Sequence, residues 1–451
     1  MQKIPRIVIA GTTSGVGKTS ISCAVINALK NQGYSVQAFK VGPDYIDPTY
    51  LSAISGKPAR NLDSWIMGKE GVKKSFTKNS TSDISVIEGV MGYYDGFSGR
   101  SNLSSTHHVA SILESPVILI MDASKTARSI AATALGFTKF HKHSRIVGII
   151  LNKLGSKKHE MMCRAALESL KIPIIGCIPK NQELSLDSRH LGLIPVVEQE
   201  DLKNKTTKIA KSISSFLDVA KIISLAKKSP PIFMQGHEPE LKPRTAIGIA
   251  LDKSFNFYYY DNFDALKREG ARLEFFSPIL DKKPPDCSGL YIGGGFPEVL
   301  GQPLAKNHSM KKSIKKLAED GLPIYGECGG LMYLTKSIDY GNKRHRMVGL
   351  FEAETNMEKK MVLNYTKGQV TSSCLVAKKP TKFFGHEFHY SELKSVPKDS
   401  KFAYDLSVGV GIKNKRDGMI EYNTLASYMH LYFDRTIHAR RFVENCLKYS
   451  R

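Results

Sequence analysis

Two stretches of this sequence combine residue types that do chemistry, and the first is GTTSGVGKTS at 11–20. Glycines let a backbone wrap around phosphate oxygens, a lysine reaches the β- and γ-phosphates, and a threonine hydroxyl ligates Mg²⁺. The spacing is one residue off the common pattern, because Thr12 stands where the first glycine is expected and Gly11 precedes it. The alternative interpretation is that this stretch is a generic glycine-rich turn that binds no phosphate. The predicted nucleotide-binding residues are Gly11, Thr12, Gly15, Val16, Gly17, Lys18 and Thr19.

Polar residues at the ends of later apolar stretches are expected to complete this site. Ligands gather at the carboxyl ends of parallel strands, and a hard cation prefers oxygen ligands. We therefore predict that Asp47 and Glu88 hold Mg²⁺ together with Thr19; the alternative for a single acid is a helix cap or a turn. Asn152 follows another apolar stretch, where its amide could form hydrogen bonds with the base of the nucleotide. The alternative interpretation is that Asn152 belongs to a surface turn.

The second stretch is GECGGLMYL at 326–334, which puts Cys328 on a tight turn between a predicted strand and a helix. Such a turn exposes the sulfur and directs a helix N-terminus at it, which favours a nucleophilic thiolate. The alternative interpretation is that Cys328 is a buried, unreactive core residue. The amides of Gly294 and Gly295, in IGGGFPE, are predicted to form an oxyanion hole with the amide of Gly329.

A thiol nucleophile needs a base, and the second half of the chain offers several histidines. His430, in LASYMHLYF, is the predicted base. His386 and His389, both in GHEFHYSE, are its rivals, and His345 and His438 are further candidates. A histidine taken alone is more often structural than catalytic.

The elements that must position these residues follow from the apolar pattern. Six Val- and Ile-rich runs lack period-two alternation, as in strands buried on both faces of a parallel sheet. They alternate with helical stretches, which predicts a doubly wound α/β fold for 1–228. A proline-rich linker is predicted at 229–244, and a second α/β domain at 245–451. The predicted strands of the first domain are Ile4–Ala10, Ser35–Lys40, Ile84–Glu88, Val117–Asp122, Ile146–Leu151 and Ile174–Ile178. In the second domain, helices are predicted near Phe257–Glu269 and Leu304–Asp320.

Composition narrows the class of protein. The 451 residues are 41% hydrophobic, and 65 Lys and Arg against 42 Asp and Glu give a net charge of +23. The basic residues are scattered and no nucleic-acid motif accompanies them, so we expect small polyanionic substrates and no nucleic acid. Seven scattered cysteines indicate a reduced, cytoplasmic compartment. The sequence has no apolar run of about 18 residues, so no membrane span is expected.

Motifs along nearly the whole chain resemble those of the cobyrinic acid a,c-diamide synthase family. The first half resembles the ATP domain of the dethiobiotin synthetase type, which shares the one-residue offset in GTTSGVGKT. The second half resembles a class I glutamine amidotransferase of the cobyric-acid-synthase kind. The ordered segments that carry the resemblance are FKVGPDYIDP, ARNLDSW, EGVMGYYDG, LNKLG, SRHLGLIP, GGGFPE, YGECGGLMYL, GHEFHYSE and SYMHLYF.

The resemblance implies a ligase that phosphorylates a substrate carboxylate with MgATP and then attacks it with ammonia from glutamine. Cys328 would take the glutamine acyl group, His430 would activate it, and Asn152 would contact adenine. Tyr432 stands where class I amidotransferases usually carry the third, glutamate member of a triad, so that member is absent or elsewhere. The residues expected to handle the substrate are Lys40, Asp44, Tyr45 and Asp95.

The implied substrate is cobyrinic acid, amidated at its c and a side chains. Hydrogenobyrinic acid and nickel sirohydrochlorin stay open as alternatives, since all three are polycarboxylates and the charge selects none of them. A partitioning-type P-loop ATPase that binds DNA or membrane is a rival of another class, and it leaves the second half unexplained. A non-catalytic protein with a decayed fold is a second rival. The enzyme is expected to act on small molecules, with a homodimer as an open assembly state.

Overall fold

The computed structural model describes residues 3–184, 200–233, 241–435 and 437–450. It forms two compact units, Met1–His237 and Glu238–Arg451. The SRHLGLIP segment at 188–195 and residues 234–240 of the predicted linker lie outside the described residues. Within the described part of the chain, no helix is long and apolar enough to cross a membrane.

The described part of the first unit alternates strands with helices. Its strands are β1 (Arg6–Gly11), β2 (Val36–Val41), β3 (Arg60–Leu62), β4 (Ile84–Glu88), β5 (Val117–Asp122), β6 (Ile146–Leu154) and β7 (Ile174–Pro179). Its helices are α1 (Lys18–Asn31), α2 (Asp47–Ser55), α3 (Gly68–Asn79), α4 (Thr106–Ile112), α5 (Ser129–Lys139), α6 (Lys157–Leu167), α7 (Glu200–Ser214) and α8 (Val219–Lys227). Short 3₁₀ helices span Glu168–Leu170 and Gln182–Leu184.

These strands form one parallel sheet in the order β3-β2-β4-β1-β5-β6-β7. Every residue of β1, β2 and β4 is buried, which explains why their sequences are mostly apolar and do not alternate with period two. The α/β prediction for this half is therefore confirmed. The sheet order puts β1 between β4 and β5, so the glycine-rich loop after β1 lies beside the segment that follows β4.

The described part of the second unit is also α/β. Its strands are β8 (Thr245–Ala250), β9 (Ala271–Phe276), β10 (Leu290–Ile292), β11 (Ile324–Glu327), β12 (Thr335–Tyr340), β13 (Lys343–Arg346), β14 (Phe351–Val370), β15 (Lys382–Lys394), β16 (Lys401–Val408), β17 (Arg416–Glu421), β18 (Thr424–Ser427) and β19 (Met429–Leu431). Its helices are α9 (Tyr260–Arg268), α10 (Gly301–Lys306), α11 (His308–Glu319), α12 (Gly329–Leu334) and α13 (His438–Tyr449), and a 3₁₀ turn spans Phe433–Arg435.

The main sheet of this unit runs β13-β12-β14-β16-β17-β18-β11-β10-β8-β9, and its β18-β11-β10-β8-β9 part is parallel. The strand β15 pairs with β14 and also with β19. Parallel strands β10 and β11 end at the GGG and GECGG segments, which places these two loops side by side.

One predicted helix is corrected by the structure. We predicted a single helix over Leu304–Asp320, but it is two helices that meet at Asn307. The backbone of Asn307 leaves the helical region at ψ 71°, and its side chain accepts a hydrogen bond from the Met310 amide. Its Nδ2 also donates to the carbonyls of Pro278 and Asp281, at 2.9 and 2.7 Å. An asparagine that caps a helix in this way starts a new one.

Candidate active sites

The phosphate loop joins β1 to α1 and depends on two glycines. Gly15 and Gly17 have φ angles of 76° and 93°, a left-handed conformation that side chains disfavour. A β-carbon at Gly17 would also lie 2.6 Å from Nδ2 of Asn152. That amide donates to the carbonyl of Val16 at 2.8 Å. In this structure the Asn152 side chain therefore holds the backbone of the loop. Its contact with adenine stays a prediction.

Lys18 begins α1 and folds back over its own loop. Its ammonium donates to the carbonyls of Thr13 and Met91, at 3.1 and 2.6 Å. Burial, and secondarily the charge of Lys40, lowers the pKa of Lys18 to about 8. The ammonium therefore lies between the phosphate loop and the segment after β4, where a phosphate group would gain most from a positive charge.

Four predicted residues, from β2, β4, the start of α2 and the segment that precedes α2, meet in one charged cluster. The Lys40 ammonium lies 2.5 Å from Asp47 Oδ2, 2.8 Å from Glu88 Oε1 and 3.9 Å from Asp44 Oδ2. Strands β2 and β4 pair with Lys40 opposite Glu88, which explains the contact. Burial lowers the pKa of Lys40, but Asp47 and Glu88 outweigh it and the net shift is upward. Burial raises the pKa of Asp44 to about 7.

The predicted magnesium ligands are only partly free to bind a cation. Thr19 Oγ1 donates to Glu88 Oε1 at 2.8 Å, so these two side chains are already adjacent. Glu88 Oε2 is buried and has no hydrogen-bond partner among the described residues. Lys40 engages Asp47 Oδ2 and also Glu88 Oε1. No group of three or more His, Cys, Asp or Glu side chains in the described ranges is arranged for a metal ion. Thr19 and Glu88 thus fit a Mg²⁺ whose other ligands are phosphate oxygens and water.

The remaining predicted substrate residues lie on the two loops beside this cluster. Tyr45 is buried next to Asp44, whose Oδ1 accepts the Ile46 amide at 2.7 Å. Asp95 Oδ2 accepts the Gly92 amide at 3.0 Å and shapes the turn after β4. That turn is hydrogen-bonded to the phosphate loop through the Tyr93 amide. The four predicted substrate residues thus lie on β2 and on the segments that follow β2 and β4.

The second site is built on Cys328, which stands between β11 and α12. Its backbone is strained, with φ 47° and ψ −98°, the sharp turn expected of a nucleophile elbow. The sulfur is 3.3 Å from the carbonyl of Phe388, and only 4% of the residue is exposed. A β-carbon at Gly330 would lie 2.1 Å from the Ile292 carbonyl, so the turn can pack against β10 only with glycine there.

Two of the three predicted oxyanion-hole glycines lie next to Cys328, since Gly295 lines the same cavity and Gly329 follows the cysteine in the chain. Gly295 has φ 151°, and a β-carbon there would lie 2.0 Å from the Ser254 carbonyl. A β-carbon at Gly329 would lie 3.0 Å from the Gly295 amide nitrogen, so the GGG loop and the elbow touch. Burial and then the Glu298 carboxylate raise the pKa of Cys328, and the Gly329 amide opposes them.

A small cavity lies over the sulfur. It is lined by Cys328, Gly295, Glu298, His389 and aromatic side chains. Glu298 is 7% exposed, and burial raises its pKa to about 7. The described residues include no basic side chain within ion-pair distance of it. A carboxylate beside a nucleophile suits the α-ammonium of an amino-acid substrate.

His430, the predicted base, is fully buried on β19. Its Cε1 edge packs on the GGG loop, since a β-carbon at Gly294 would lie 2.6 Å from Cε1 and 3.3 Å from Nε2. The ring of its rival His386 stacks on it at 4.8 Å between centroids, and His386 Nδ1 is 3.1 Å from the Tyr259 hydroxyl. The loop that carries Gly295 therefore contacts both the elbow and the His430 ring.

The other histidine candidates are placed differently. His389 lines the cavity, but it stacks on Tyr428 at 3.8 Å and its Nδ1 is 2.7 Å from the Ser391 carbonyl. His438 Nδ1 is 2.9 Å from the Val376 carbonyl, and neither His438 nor His345 lines the cavity. The lining of the cavity includes His389 and does not include His430. His430 therefore stays the predicted base, and His386 and His389 stay its rivals.

Glu327, which is not among the residues predicted from the sequence, lies against the His430 ring. Its Oε2 is 3.4 Å from His430 Nδ1, and only 1% of its side chain is exposed. Tyr432, at the position of the usual third triad member, donates instead to Asp261 Oδ2 at 3.2 Å. The only sequence signal for Glu327 was a charged residue at the end of an otherwise buried strand, next to the elbow cysteine.

Comparison with known proteins agrees with these two sites. Residues 7–194 match the CobQ/CobB/MinD/ParA nucleotide binding domain model, and residues 246–437 match the CobB/CobQ-like glutamine amidotransferase domain model. A protein of Methanocaldococcus jannaschii named cobyrinate a,c-diamide synthase is 44% identical, covering 94% of this chain and 95% of its own. Proteins of the same name from Methanosarcina barkeri and Archaeoglobus fulgidus are 41% and 39% identical, covering 96% and 99% of this chain and 94% and 98% of their own.

Proposed function

The chain belongs to the cobyrinate a,c-diamide synthase family, and on that basis we propose that it amidates the a and c carboxylates of cobyrinic acid. It is a glutamine-dependent ligase with an ATP-binding domain. The observation that carries the proposal is the presence, in one chain, of a phosphate loop beside a charged cluster and a thiol elbow beside a buried histidine. A stand-alone partitioning ATPase has no use for the second of these sites.

We propose that the first unit activates the carboxylate. An oxygen of the substrate carboxylate attacks the γ-phosphorus of ATP, ADP leaves, and an acyl phosphate forms. Ammonia then attacks the acyl carbon, inorganic phosphate leaves and a proton is lost, which yields the amide. Lys18 stabilises charge on the phosphates. Mg²⁺, held by Thr19 and Glu88, would neutralise charge on the phosphate oxygens.

Lys40 suits the same step because it lies at the centre of Asp44, Asp47 and Glu88. The Lys40 ammonium can bind a carboxylate of the substrate only if that carboxylate replaces one of these three acids as its partner. The three acids keep the lysine charged and fix its position, so the cationic group is held in place before a polyanionic substrate binds.

We propose that the second unit releases the ammonia. The Cys328 thiolate attacks the carboxamide carbon of glutamine, and the amides of Gly295 and Gly329 stabilise the oxyanion. His430 takes the thiol proton and delivers it to the leaving ammonia. Water then hydrolyses the thioester to glutamate and restores the thiol.

The test offers the pure protein cobyrinate, hydrogenobyrinate and nickel sirohydrochlorin in turn, with MgATP and either glutamine or ammonium. Mass spectrometry counts the amides formed. Two amides on cobyrinate, with the highest kcat/KM of the three substrates, are expected. A higher kcat/KM with either alternative would reassign the substrate. No glutamine hydrolysis with any of them would favour the partitioning ATPase.

The variant Cys328→Ala separates the two units. We expect it to lose glutamine-dependent synthesis and to keep synthesis from high ammonium at raised pH, where free NH₃ bypasses the thiol. Cys328→Ser should behave the same way, because a hydroxyl stays protonated where a thiol ionises. Normal glutamine use by either variant would remove the nucleophile from Cys328. Loss of the ammonium reaction in a folded variant would refute the division of labour.

A further inference from the structure

We propose that Glu327 is the positioning residue of the glutaminase, the carboxylate that orients His430. The inference rests on the proposed roles of Cys328 and His430. It assigns the third member of the triad to the residue just before the nucleophile, whereas class I amidotransferases usually carry it two residues after the histidine. At that usual position this chain has Tyr432, which is hydrogen-bonded to Asp261.

Glu327 is held in a fixed orientation by neutral donors. Its Oε1 accepts the Tyr325 hydroxyl at 2.8 Å and the Leu431 amide at 3.1 Å. Its Oε2 accepts the Tyr291 hydroxyl at 2.8 Å and faces His430 Nδ1 at 3.4 Å. These contacts leave the carboxylate little freedom to turn away from the ring. In addition, the Leu431 amide ties Glu327 to the backbone beside the histidine.

Strand pairing explains why the two residues meet although 103 positions separate 327 from 430 in the numbering. The strands β11 and β18 are parallel neighbours with Glu327 opposite Ser427. The chain then continues directly from β18 into β19, which carries His430. Glu327 and Cys328 are consecutive, so the acid lies behind the histidine while the thiol lies on the elbow.

The arrangement has a defined chemical consequence for the ring. A carboxylate oxygen 3.4 Å from Nδ1 favours, through its charge, the tautomer of a neutral imidazole that carries its proton on that nitrogen. The lone pair is then on Nε2, on the ring edge that packs against Gly294 and the loop of the oxyanion hole. That is the tautomer a base needs in order to take the proton of the thiol. Glu327 therefore acts through His430 and does not touch the substrate.

The first test is Glu327→Gln, which keeps the shape of the side chain and removes its charge. We expect kcat with glutamine to fall at least about tenfold while KM for glutamine and synthesis from ammonium stay at wild-type values. The matched control is Glu387→Gln. Glu387 is an equally buried glutamate whose oxygens accept the Val410 and Gly411 amides, at 2.7 and 3.0 Å. It should lose stability without a selective loss of glutamine-dependent kcat.

The second test uses the wild-type protein and so does not depend on whether a variant folds. Nitrogen-15 NMR of histidine-labelled protein, with the His430 signals assigned by their loss in His430→Asn, should show a proton on Nδ1. An unprotonated Nδ1 would overturn the inference. A folded Glu327→Gln variant with wild-type kcat for glutamine would also overturn it. So would a Glu327→Gln variant whose loss of glutamine-dependent kcat, relative to synthesis from ammonium, is no larger than that of Glu387→Gln. If Cys328→Ala still used glutamine, the proposed glutaminase itself would fail, which is a distinct result.

Discussion

Substituting alanine for Gly294 would test how tightly the structure constrains His430. The added β-carbon would lie 2.6 Å from His430 Cε1 and 3.2 Å from the Phe257 β-carbon. Carbon atoms in contact are normally about 3.5–4.0 Å apart, so the ring has to move by about 1 Å. The backbone at 294 has no left-handed φ, and the amide that the oxyanion hole uses is unchanged. The closest contact of the added carbon is with the His430 ring, and Phe257 is the next group it meets.

The ring has nowhere to move at low cost. It is fully buried, stacked on His386 at 4.8 Å and backed by Glu327. A misplacement of about 1 Å in a catalytic group costs roughly 100-fold in rate, which corresponds to about 2.7 kcal/mol of activation free energy. Overpacking of this kind destabilises a fold by about 1–3 kcal/mol. We expect kcat/KM for glutamine to fall roughly 100-fold, with synthesis from ammonium retained.

The assay compares glutamine-dependent and ammonium-dependent amide formation in one preparation and records its melting temperature. Gly248→Ala is the control, because a β-carbon there would lie 2.7 Å from Leu290 Cδ2 in the core of the same unit. It should lower stability and leave the ratio of the two rates unchanged. A Gly294→Ala enzyme with wild-type kcat/KM for glutamine would refute the reasoning. The reasoning would also be refuted if Gly294→Ala, like Gly248→Ala, left the ratio of the glutamine-dependent to the ammonium-dependent rate unchanged.

Three further substitutions test the remaining charges. Lys18→Ala should abolish synthesis with glutamine and with ammonium alike, because phosphate charge is left without its cation; ammonium-driven turnover would show that this loop does not activate the carboxylate. Glu88→Gln should fold but lose most Mg²⁺-dependent turnover in a magnesium titration, and an unchanged titration would move the metal elsewhere. Glu298→Gln should shift the alkylation of Cys328 by iodoacetamide to lower pH, because burial and then Glu298 raise the pKa of the thiol. Burial raises the pKa of Glu298 to about 7, and only the ionised carboxylate raises the pKa of the thiol, so the variant should differ from the wild type above about that pH. Alkylation rates with the same pH dependence in both proteins would contradict this effect of Glu298.

The sequence alone determined the two reactive loops, because each depends on local backbone geometry. Glycines at 15 and 17 allow the left-handed turns of the phosphate loop, and glycines around Cys328 allow the strained elbow. Continuous apolar runs before both loops predicted the buried parallel strands that end there. Neighbouring residues encode features of this kind, so spacing and residue type were enough to find them and to identify the family resemblance.

Only the tertiary structure decided which distant side chains meet. The pairing of β2 with β4 brings Lys40 to Glu88, although the sequence predicts a different ligand for each of these two residues. The stack of His386 on His430 and the contact of Glu327 with His430 depend on the pairing of β15 with β19 and of β11 with β18. Strand order is set by burial of whole faces and by long chain connections, and no short motif records it. For that physical reason the nucleophile was readable in the sequence, while its positioning carboxylate became visible only in the fold.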